Sequence, residues 1–232
     1  MDQKMLRKFH LLSTIFSHFL MGQSKELSEP PLEVTSKIIF SKDFSIHNEP
    51  KLESDKPLQV NFSIEQLNIL DVVEKSEIIT LEMNIKIYWR DPRISVRPKA
   101  LSNISKYVSF NSRVAEYFWI PDIFIDKAKS IRNPLLHVKP AYLRVYNNFI
   151  LFSNLINFDV FCEMDFHRFP VDEQLCIIIF ESYGFASDQF MFAWDLKANN
   201  INTTFPLTQY ICSVRFDNFH EAAYDDLVHP GT

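Results

Sequence analysis

Cys162 and Cys176 are the residues whose type and spacing most directly suggest chemistry, because only thirteen residues separate them. A disulfide between them would close a loop, and in a chain-entropy model a 15-residue loop constrains the unfolded state by about 3 kcal/mol. That bond forms in an oxidising compartment. A metal site is the alternative, but the pair lacks the short Cys-x-x-Cys or His-x-x-x-His spacing that tetrahedral zinc sites favour. We therefore favour a disulfide and expect no metal and no other cofactor.

Two further candidates for chemistry are a third cysteine and a histidine inside the loop. Cys212 is left over if the other two cysteines pair, so it is either a buried free thiol or half of a bridge to a residue beyond Thr232. His167 lies near Asp165 and beside Arg168, a grouping that could support acid–base chemistry. We interpret these three side chains as the polar rim of a loop.

The composition argues against two functional classes. A net charge of −5 provides no basic surface of the kind that nucleic acids require, so we expect no nucleic-acid partner. The chain has no Gly-x-Ser-x-Gly elbow and no His-Glu-x-x-His motif, and its three glycines could hardly build a phosphate-binding loop. We therefore predict that the protein is not an enzyme.

The elements that must position these residues are predicted to be strands. Apolar and polar residues alternate from Leu58 to Ile64 and again from Ile79 to Trp89, and a helix cannot produce that alternation over eleven residues. Further strands are predicted at Tyr142–Tyr146, Ile150–Phe161, Cys176–Glu181, Phe190–Trp194 and Tyr210–Phe216. Short strands separated by turns, with almost no helical periodicity, predict an all-β fold, an antiparallel β-sandwich.

The amino terminus has the features of a secretory signal. Basic residues among the first eight precede the mostly apolar segment Phe9–Met21, and Gly22-Gln23-Ser24 offers small residues for cleavage. This pattern predicts a signal peptide over residues 1–24, with an amphipathic first helix as the alternative. Three Asn-x-Ser/Thr sequons fit a secreted route and predict glycosylation. They are at Asn61, Asn103 and Asn202.

The remaining chain is predicted to contain a short leading segment and one domain. Residues 25–57 would hold a short amphipathic helix at Leu32–Phe40 and then a polar, proline-punctuated loop. The β-sandwich would occupy residues 58–232. No stretch reaches about 18 apolar residues, so we predict no membrane span within this sequence.

Three motifs then connect the chain to a known family. The loop Cys162–Cys176 encloses Phe169-Pro170 and Asp172, the segment Trp119-Ile120-Pro121-Asp122 precedes it, and Trp89-Arg90-Asp91 closes an earlier strand. Together, and in this order, these motifs resemble those of the Cys-loop receptors, which are pentameric ligand-gated ion channels. The resemblance covers roughly residues 58–216. It implies an extracellular domain made of an N-terminal helix and a twisted, immunoglobulin-like β-sandwich of about ten strands.

The resemblance also implies partners and a location. Five identical or homologous subunits would form a ring at the extracellular face of the plasma membrane, with a small-molecule neurotransmitter bound between neighbours. The sequence Phe180-Glu181-Ser182-Tyr183-Gly184 is similar to the corresponding segment in the receptors gated by γ-aminobutyrate, glycine or glutamate. This similarity implies an anion channel and a chloride current. The membrane contact would come from a C-terminal region, which we expect to be cut off here together with the last strand.

Carried over position by position, the resemblance implies two sets of ligand contacts and a coupling loop. The principal face would contribute Phe124, Ser182, Tyr183 and, more remotely, Tyr224. The complementary face of the neighbouring subunit would contribute Lys86 and Ser153. The coupling loop would act through Phe169, Pro170 and Asp172, with the Cys162–Cys176 disulfide stiffening its tip.

The chemistry of these residues suits an amino-acid transmitter. Lys86 lies on the polar face of a clean alternating strand, where its ammonium could meet a carboxylate, although Lys lacks the bidentate fork of Arg. Phe124 and Tyr183 could each attract a ligand ammonium by a cation–π interaction of about 0.5–2 kcal/mol.

A soluble transmitter-binding protein with the same fold and no channel is the alternative, and the chain would then be secreted and end naturally at Thr232. The apolar Phe169-Pro170 tip favours the channel, because a free soluble protein is expected to make that tip more polar.

Overall fold

The computed structural model describes residues 29–52, 56–101, 106–134, 139–169, 171–186, 189–195, 204–206 and 211–214. The chain divides after Pro31, and every element named below belongs to the unit Leu32–Thr232. One helical turn, α1 (Leu32–Thr35), precedes the strands. The described strands are β1 (Ile38–Phe40), β2 (Leu58–Val73), β3 (Ile78–Arg90), β4 (Ile94–Val96), β5 (Val108–Asn111), β6 (Ile123–Ile125), β7 (Ala128–Arg132), β8 (Ala141–Tyr146), β9 (Phe149–Phe161), β10 (Phe180–Ser182), β11 (Phe190–Trp194), β12 (Thr204–Pro206) and β13 (Ile211–Ser213).

A seven-stranded sheet forms the body of the domain. Its strands follow the order β11-β2-β3-β9-β8-β5, and β7 also pairs with β9. The two-stranded pairs β1-β4, β6-β10 and β12-β13 lie apart from it. In β3 the apolar residues from Leu81 to Trp89 are buried, while the alternate residues from Glu82 to Tyr88 are only half-buried. The alternation predicted from Ile79 to Trp89 is therefore a strand with one face in the core.

Two predicted motifs help to build that core. Trp89 is fully buried and packs edge-to-face against Trp119, with their ring centroids 6.0 Å apart. Asp91 is also fully buried, and its two carboxylate oxygens accept hydrogen bonds from Nε and Nη2 of Arg93 at 2.9 and 2.8 Å. Both motifs thus act in packing, which explains why their tryptophans are not open to a ligand.

The all-β prediction is confirmed, since strands dominate the described residues and one short helix precedes them. Several boundaries differ. Only the first turn of the helix predicted at Leu32–Phe40 forms, because the β-branched Ile38 and Ile39 pair with β4 as strand β1. One pair is parallel rather than antiparallel, where β11 runs beside β2.

Two predicted strands are shorter than expected. Within Cys176–Glu181 only the end is a strand, because β10 begins at Phe180, where β6 provides its antiparallel partner. Within Tyr210–Phe216 the strand is β13, and the predicted ends Tyr210 and Phe216 lie outside the described residues.

Candidate ligand-binding site

The Cys loop is closed in the structure. Cys162 and Cys176 form a disulfide with their Cα atoms 5.1 Å apart. The backbone N–H of Cys162 donates to the carbonyl of Glu77 at 2.8 Å, so the loop begins directly at the end of the β3–β9 ladder. Gln174 ties the two halves of the loop together, accepting from the N–H of Asp165 and donating to its carbonyl, each at 2.7 Å.

The tip of the loop is apolar and open to solvent. Phe169 and Val171 are exposed, whereas Pro170 lies outside the described residues. The carboxylate of Asp172 accepts a hydrogen bond from the side chain of Gln174. The structure therefore presents an apolar surface at the predicted coupling position and uses Asp172 inside the loop.

His167 belongs to the rim of this loop, as the sequence suggested. Its ring contacts the carboxylate of Asp165, and both side chains are exposed. The hydrogen bond to Asp165 raises the pKa of His167 above its ordinary value.

The third cysteine, Cys212, is a free half-buried thiol on β13, and burial raises its pKa.

The predicted principal-face aromatics are neighbours in the structure. Phe124 is the middle residue of β6, and Tyr183 follows directly after β10, the strand that pairs with β6. Their ring centroids are 5.9 Å apart. Tyr183 is 84% exposed and Phe124 39% exposed, so both rings are accessible from solvent. Two residues 59 positions apart in the sequence thus form one open aromatic pair.

A carboxylate from the Trp119–Asp122 motif holds this loop in place. Asp122 accepts from the hydroxyl of Ser182 at 2.7 Å and from the N–H of Gly184 at 2.6 Å. The Ser182 hydroxyl in turn accepts from the N–H of Phe185 at 3.0 Å. The predicted site residue Ser182 therefore positions the loop that carries Tyr183. Asp122 was missed as a site residue, although its motif marked it.

Glu181 is a second residue that sequence reasoning missed. It is the direct cross-strand partner of Phe124, so the two side chains lie on the same face of the β6–β10 pair. Its carboxylate is partly buried, and that burial raises its pKa, with the negative charge of Asp126 adding to the effect. A half-buried carboxylate therefore lies beside the aromatic pair.

The predicted complementary-face residues are also paired. Lys86 on β3 and Ser153 on β9 are direct cross-strand partners in the seven-stranded sheet. The Lys86 ammonium lies 2.7 Å from Oε1 of Glu65 on β2. Ser153 is 2% exposed, and its hydroxyl donates to Oδ1 of Asn84 at 3.0 Å. Asn84 donates from Nδ2 to Oε2 of Glu65 at 3.0 Å, so these four residues form one connected network.

A second cation lies on the same face of the sheet. The guanidinium of Arg144 on β8 lies over the rings of Tyr107 and Tyr142, 4.8 and 4.6 Å from their centroids. Tyr142 is the cross-strand partner of Ser153, so the ring under Arg144 is directly beside a member of the Lys86 network. Nothing in the motifs indicated Arg144.

The predicted site residues thus fall into two groups on different elements. Lys86 and Ser153 lie in the seven-stranded sheet, and Phe124, Ser182 and Tyr183 lie on or beside the β6–β10 pair. The other predicted positions that lie outside the described residues are Tyr224, Asn103 and Asn202.

The remaining predicted glycosylation position lies on β2. Asn61 is half-buried and accepts a hydrogen bond from the side chain of Gln59 at 2.9 Å. Glycosylation at all three sequons stays a prediction.

Within the ranges that the structure describes, no helix is long and apolar enough to cross a lipid bilayer.

Comparison with known proteins matches the chain to a family of ligand-binding domains. A family model described as the neurotransmitter-gated ion-channel ligand binding domain matches residues 34–227. The gamma-aminobutyric acid receptor subunit rho-1 of Rattus norvegicus is 25% identical over 192 residues, which is 79% of this chain and 38% of that subunit. Subunit rho-3 of Rattus norvegicus is 29% identical over 154 residues, covering 63% of this chain and 31% of that subunit. Subunit rho-2 of Mus musculus is 29% identical over 148 residues, covering 63% of this chain and 30% of that subunit. The chain therefore spans about a third of the length of these relatives.

Proposed function

Because the chain belongs to the neurotransmitter-gated ion-channel ligand-binding domain family, we propose that it binds an amino-acid transmitter at the interfaces of a pentameric, anion-conducting channel. The observation that carries this proposal is the presence of two separate groups of side chains, one suited to a cation and the other to an anion. One group offers open aromatic rings and a carboxylate, and the other offers a lysine ammonium and polar hydrogen-bonding groups. An amino acid presents an ammonium to the first and a carboxylate to the second.

The principal face would receive the ammonium. Phe124 and Tyr183 present accessible rings 5.9 Å apart, and a cation over either ring gains about 0.5–1 kcal/mol at an exposed site. Glu181, on the same face as Phe124, supplies a carboxylate within reach of the same cation. Ser182 acts through the loop that carries Tyr183. Tyr224 would add a further aromatic contact.

The complementary face of the neighbouring subunit would receive the carboxylate. Lys86 is the charged contact, because its ammonium is only partly buried and is already held in a hydrogen-bonding network. Ser153 is almost fully buried, so its role in the network is to hold Asn84 by a hydrogen bond. It would contact the ligand only after the site rearranges. Two faces on separate elements fit a site that closes only when subunits meet.

The Cys loop would carry the signal toward the membrane. Its apolar tip exposes Phe169 and Val171, the sequence neighbours of Pro170, and suits contact with a membrane domain that a C-terminal region would provide. The disulfide and the Gln174 hydrogen bonds keep that tip in one shape. An extracellular location, reached through a signal peptide and accompanied by glycosylation, agrees with a disulfide-bonded domain.

Substitution of Lys86 tests the proposal. In receptors that contain this chain, Lys86→Ala is expected to weaken activation by gamma-aminobutyric acid at least tenfold. Hydrogen bonds to charged groups contribute about 1.5–3 kcal/mol, and the unpaired Glu65 would also repel the ligand carboxylate. Lys75→Ala, at an exposed position in a short 3-10 helix, is the matched control and should leave the dose–response unchanged.

Current recordings with chloride as the permeant ion give the measurement. An unchanged dose–response for Lys86→Ala would remove that residue from the site. Absence of any response to an amino-acid panel in the unmodified receptor would reject the proposed function itself.

A further inference from the structure

The ammonium of Lys86 already has a carboxylate partner within its own chain. Oε1 of Glu65 lies 2.7 Å from Nζ of Lys86, and Oε2 of Glu65 accepts from Nδ2 of Asn84 at 3.0 Å. Both oxygens of the carboxylate are therefore engaged. A ligand that brings its own carboxylate to Lys86 meets an occupied site.

The backbone of β2 explains why Glu65 reaches Lys86. The pairing of β2 with β3 runs from Ile64 opposite Ile85 directly to Gln66 opposite Asn84, so Glu65 is the extra residue at an irregularity in the ladder. Ser63 is the cross-strand partner of Lys86, so Glu65, two residues further along β2, lies on the same face of the sheet. The bulge leaves both Glu65 and Gln66 opposite Asn84, and Glu65 thereby reaches the network of Lys86 and Asn84.

The exposure of both side chains indicates that Glu65 and Lys86 can separate. The Glu65 side chain is 52% exposed and that of Lys86 22%, so a released Glu65 carboxylate would be hydrated at little cost. The chain contains a contrasting pair, Asp91 and Arg93, whose side chains are 0% and 10% exposed and are joined to each other by two hydrogen bonds. Removing one partner there would leave a buried charge, which is strongly unfavourable. Of these two pairs, the Glu65–Lys86 pair is the one suited to exchange.

We propose that Glu65 is an internal competitor for the transmitter carboxylate, occupying Lys86 in the unliganded protein and leaving it when an acidic ligand binds. This inference rests on the proposed function, because it takes Lys86 as the contact for the ligand carboxylate. The exchange keeps Lys86 paired with one carboxylate before and after binding. Glu65 therefore lowers the affinity for ligands that carry a carboxylate and leaves the affinity for acid-free amines unaffected.

Glu65→Gln tests the competition while preserving the size of the side chain. Solvent-exposed ion pairs contribute at most about 1 kcal/mol, which corresponds to about fivefold in affinity. We expect gamma-aminobutyric acid to bind about fivefold more tightly to receptors carrying Glu65→Gln. Propylamine, the same amine without the acid group, should change by less than about twofold in a competition assay.

Glu82→Gln is the matched control. Glu82 lies on the same strand face as Lys86, four residues earlier, and accepts hydrogen bonds from Asn68 at 2.9 Å and from Gln66 at 3.4 Å. The substitution Glu82→Gln therefore removes a carboxylate that is hydrogen-bonded to two amides and not to Lys86. Binding of gamma-aminobutyric acid should remain unchanged. Thermal unfolding of each variant checks that neither substitution disturbs the fold.

Equilibrium binding to receptors that contain this chain separates the outcomes. Tighter binding of gamma-aminobutyric acid to Glu65→Gln alone supports the competition. If the unmodified receptor binds the ligand and Lys86→Ala weakens it, while Glu65→Gln leaves it unchanged or weaker, the competition is overturned and the proposed function stands. The acid group then binds without displacing Glu65, for example at Arg144. If no amino acid binds to any of these receptors, the proposed function and this inference both fail.

Discussion

Replacing Asp122 by alanine would release the loop that carries Tyr183. The Asp122 carboxylate accepts from the Ser182 hydroxyl at 2.7 Å and from the Gly184 N–H at 2.6 Å. The loop passes so closely that a Cβ on Gly184 would lie 3.1 Å from Oδ2 of Asp122. One side chain thus fixes both ends of the turn around Tyr183.

The size of the effect follows from the exposure of the two donors. A hydrogen bond to a charged group contributes about 1.5–3 kcal/mol, but Gly184 is exposed, so water can replace the carboxylate at its N–H. The half-buried Ser182 hydroxyl therefore dominates, and we expect Asp122→Ala to lower the free energy of unfolding by about 2 kcal/mol. For a domain of about 200 residues this lowers the melting temperature by about 4–8 °C.

Ligand affinity should fall as well. With its loop released, Tyr183 no longer stays beside Phe124, and the cation–π contribution of an exposed ring, about 0.5–1 kcal/mol, is largely lost. We expect gamma-aminobutyric acid to bind about two- to fivefold more weakly. Asp122→Asn keeps one acceptor oxygen and should give an intermediate loss of stability.

Thermal unfolding and equilibrium binding on the same preparations provide the assay. Asp43→Asn, in an exposed turn, controls for the removal of one negative charge. A melting temperature within about 1 °C of the unmodified protein for Asp122→Ala would refute the reasoning, because it would mean that the two hydrogen bonds contribute nothing to the position of the loop.

Two further predictions concern the ladder that leads to the Cys loop and the loop itself. The hydrogen bond from Ser130, with the charge of Arg132, holds the pKa of Asp159 below its ordinary value of 3.8. The ionised Asp159 therefore stabilises the fold above about pH 4, and this contribution is lost as the pH falls through the folded-state pKa. Asp159→Asn should therefore destabilise the protein at pH 7 and progressively less below pH 4 in urea unfolding; a difference that does not depend on pH would contradict this. Joint substitution of Cys162 and Cys176 by serine should lower the free energy of unfolding by about 3 kcal/mol, and an unchanged urea midpoint would count against that value.

Sequence patterns predicted β3 and β9 well, because the period of two is visible over many residues. Only Leu58–Ile64 of β2 was predicted, because the irregularities that begin at Glu65 interrupt its alternation. The short strands β4 to β7 escaped notice, since three to five residues are too few for a periodic signal and their pairing depends on distant chain segments. The same holds for the site. Motifs suggested Phe124, Tyr183 and Lys86 as candidates, but the contact of Lys86 with Glu65 depends on the pairing of β2 with β3, which no local pattern reveals.

The position of the proposed ligand contacts along β9 bears on how binding would reach the Cys loop. Ser153 lies on β9, and the first loop cysteine, Cys162, follows directly after the end of that strand, nine residues later and about 30 Å away at the usual rise per residue. The β3–β9 register is unbroken from Ile78 to Arg90, whereas β2 has irregularities at Glu65 and near Leu70. Displacing Glu65 would therefore deform β2 at its bulge, where the ladder is already interrupted. A force on Lys86, by contrast, acts on the regular β3–β9 pair, which ends at the hydrogen bond between Glu77 and Cys162.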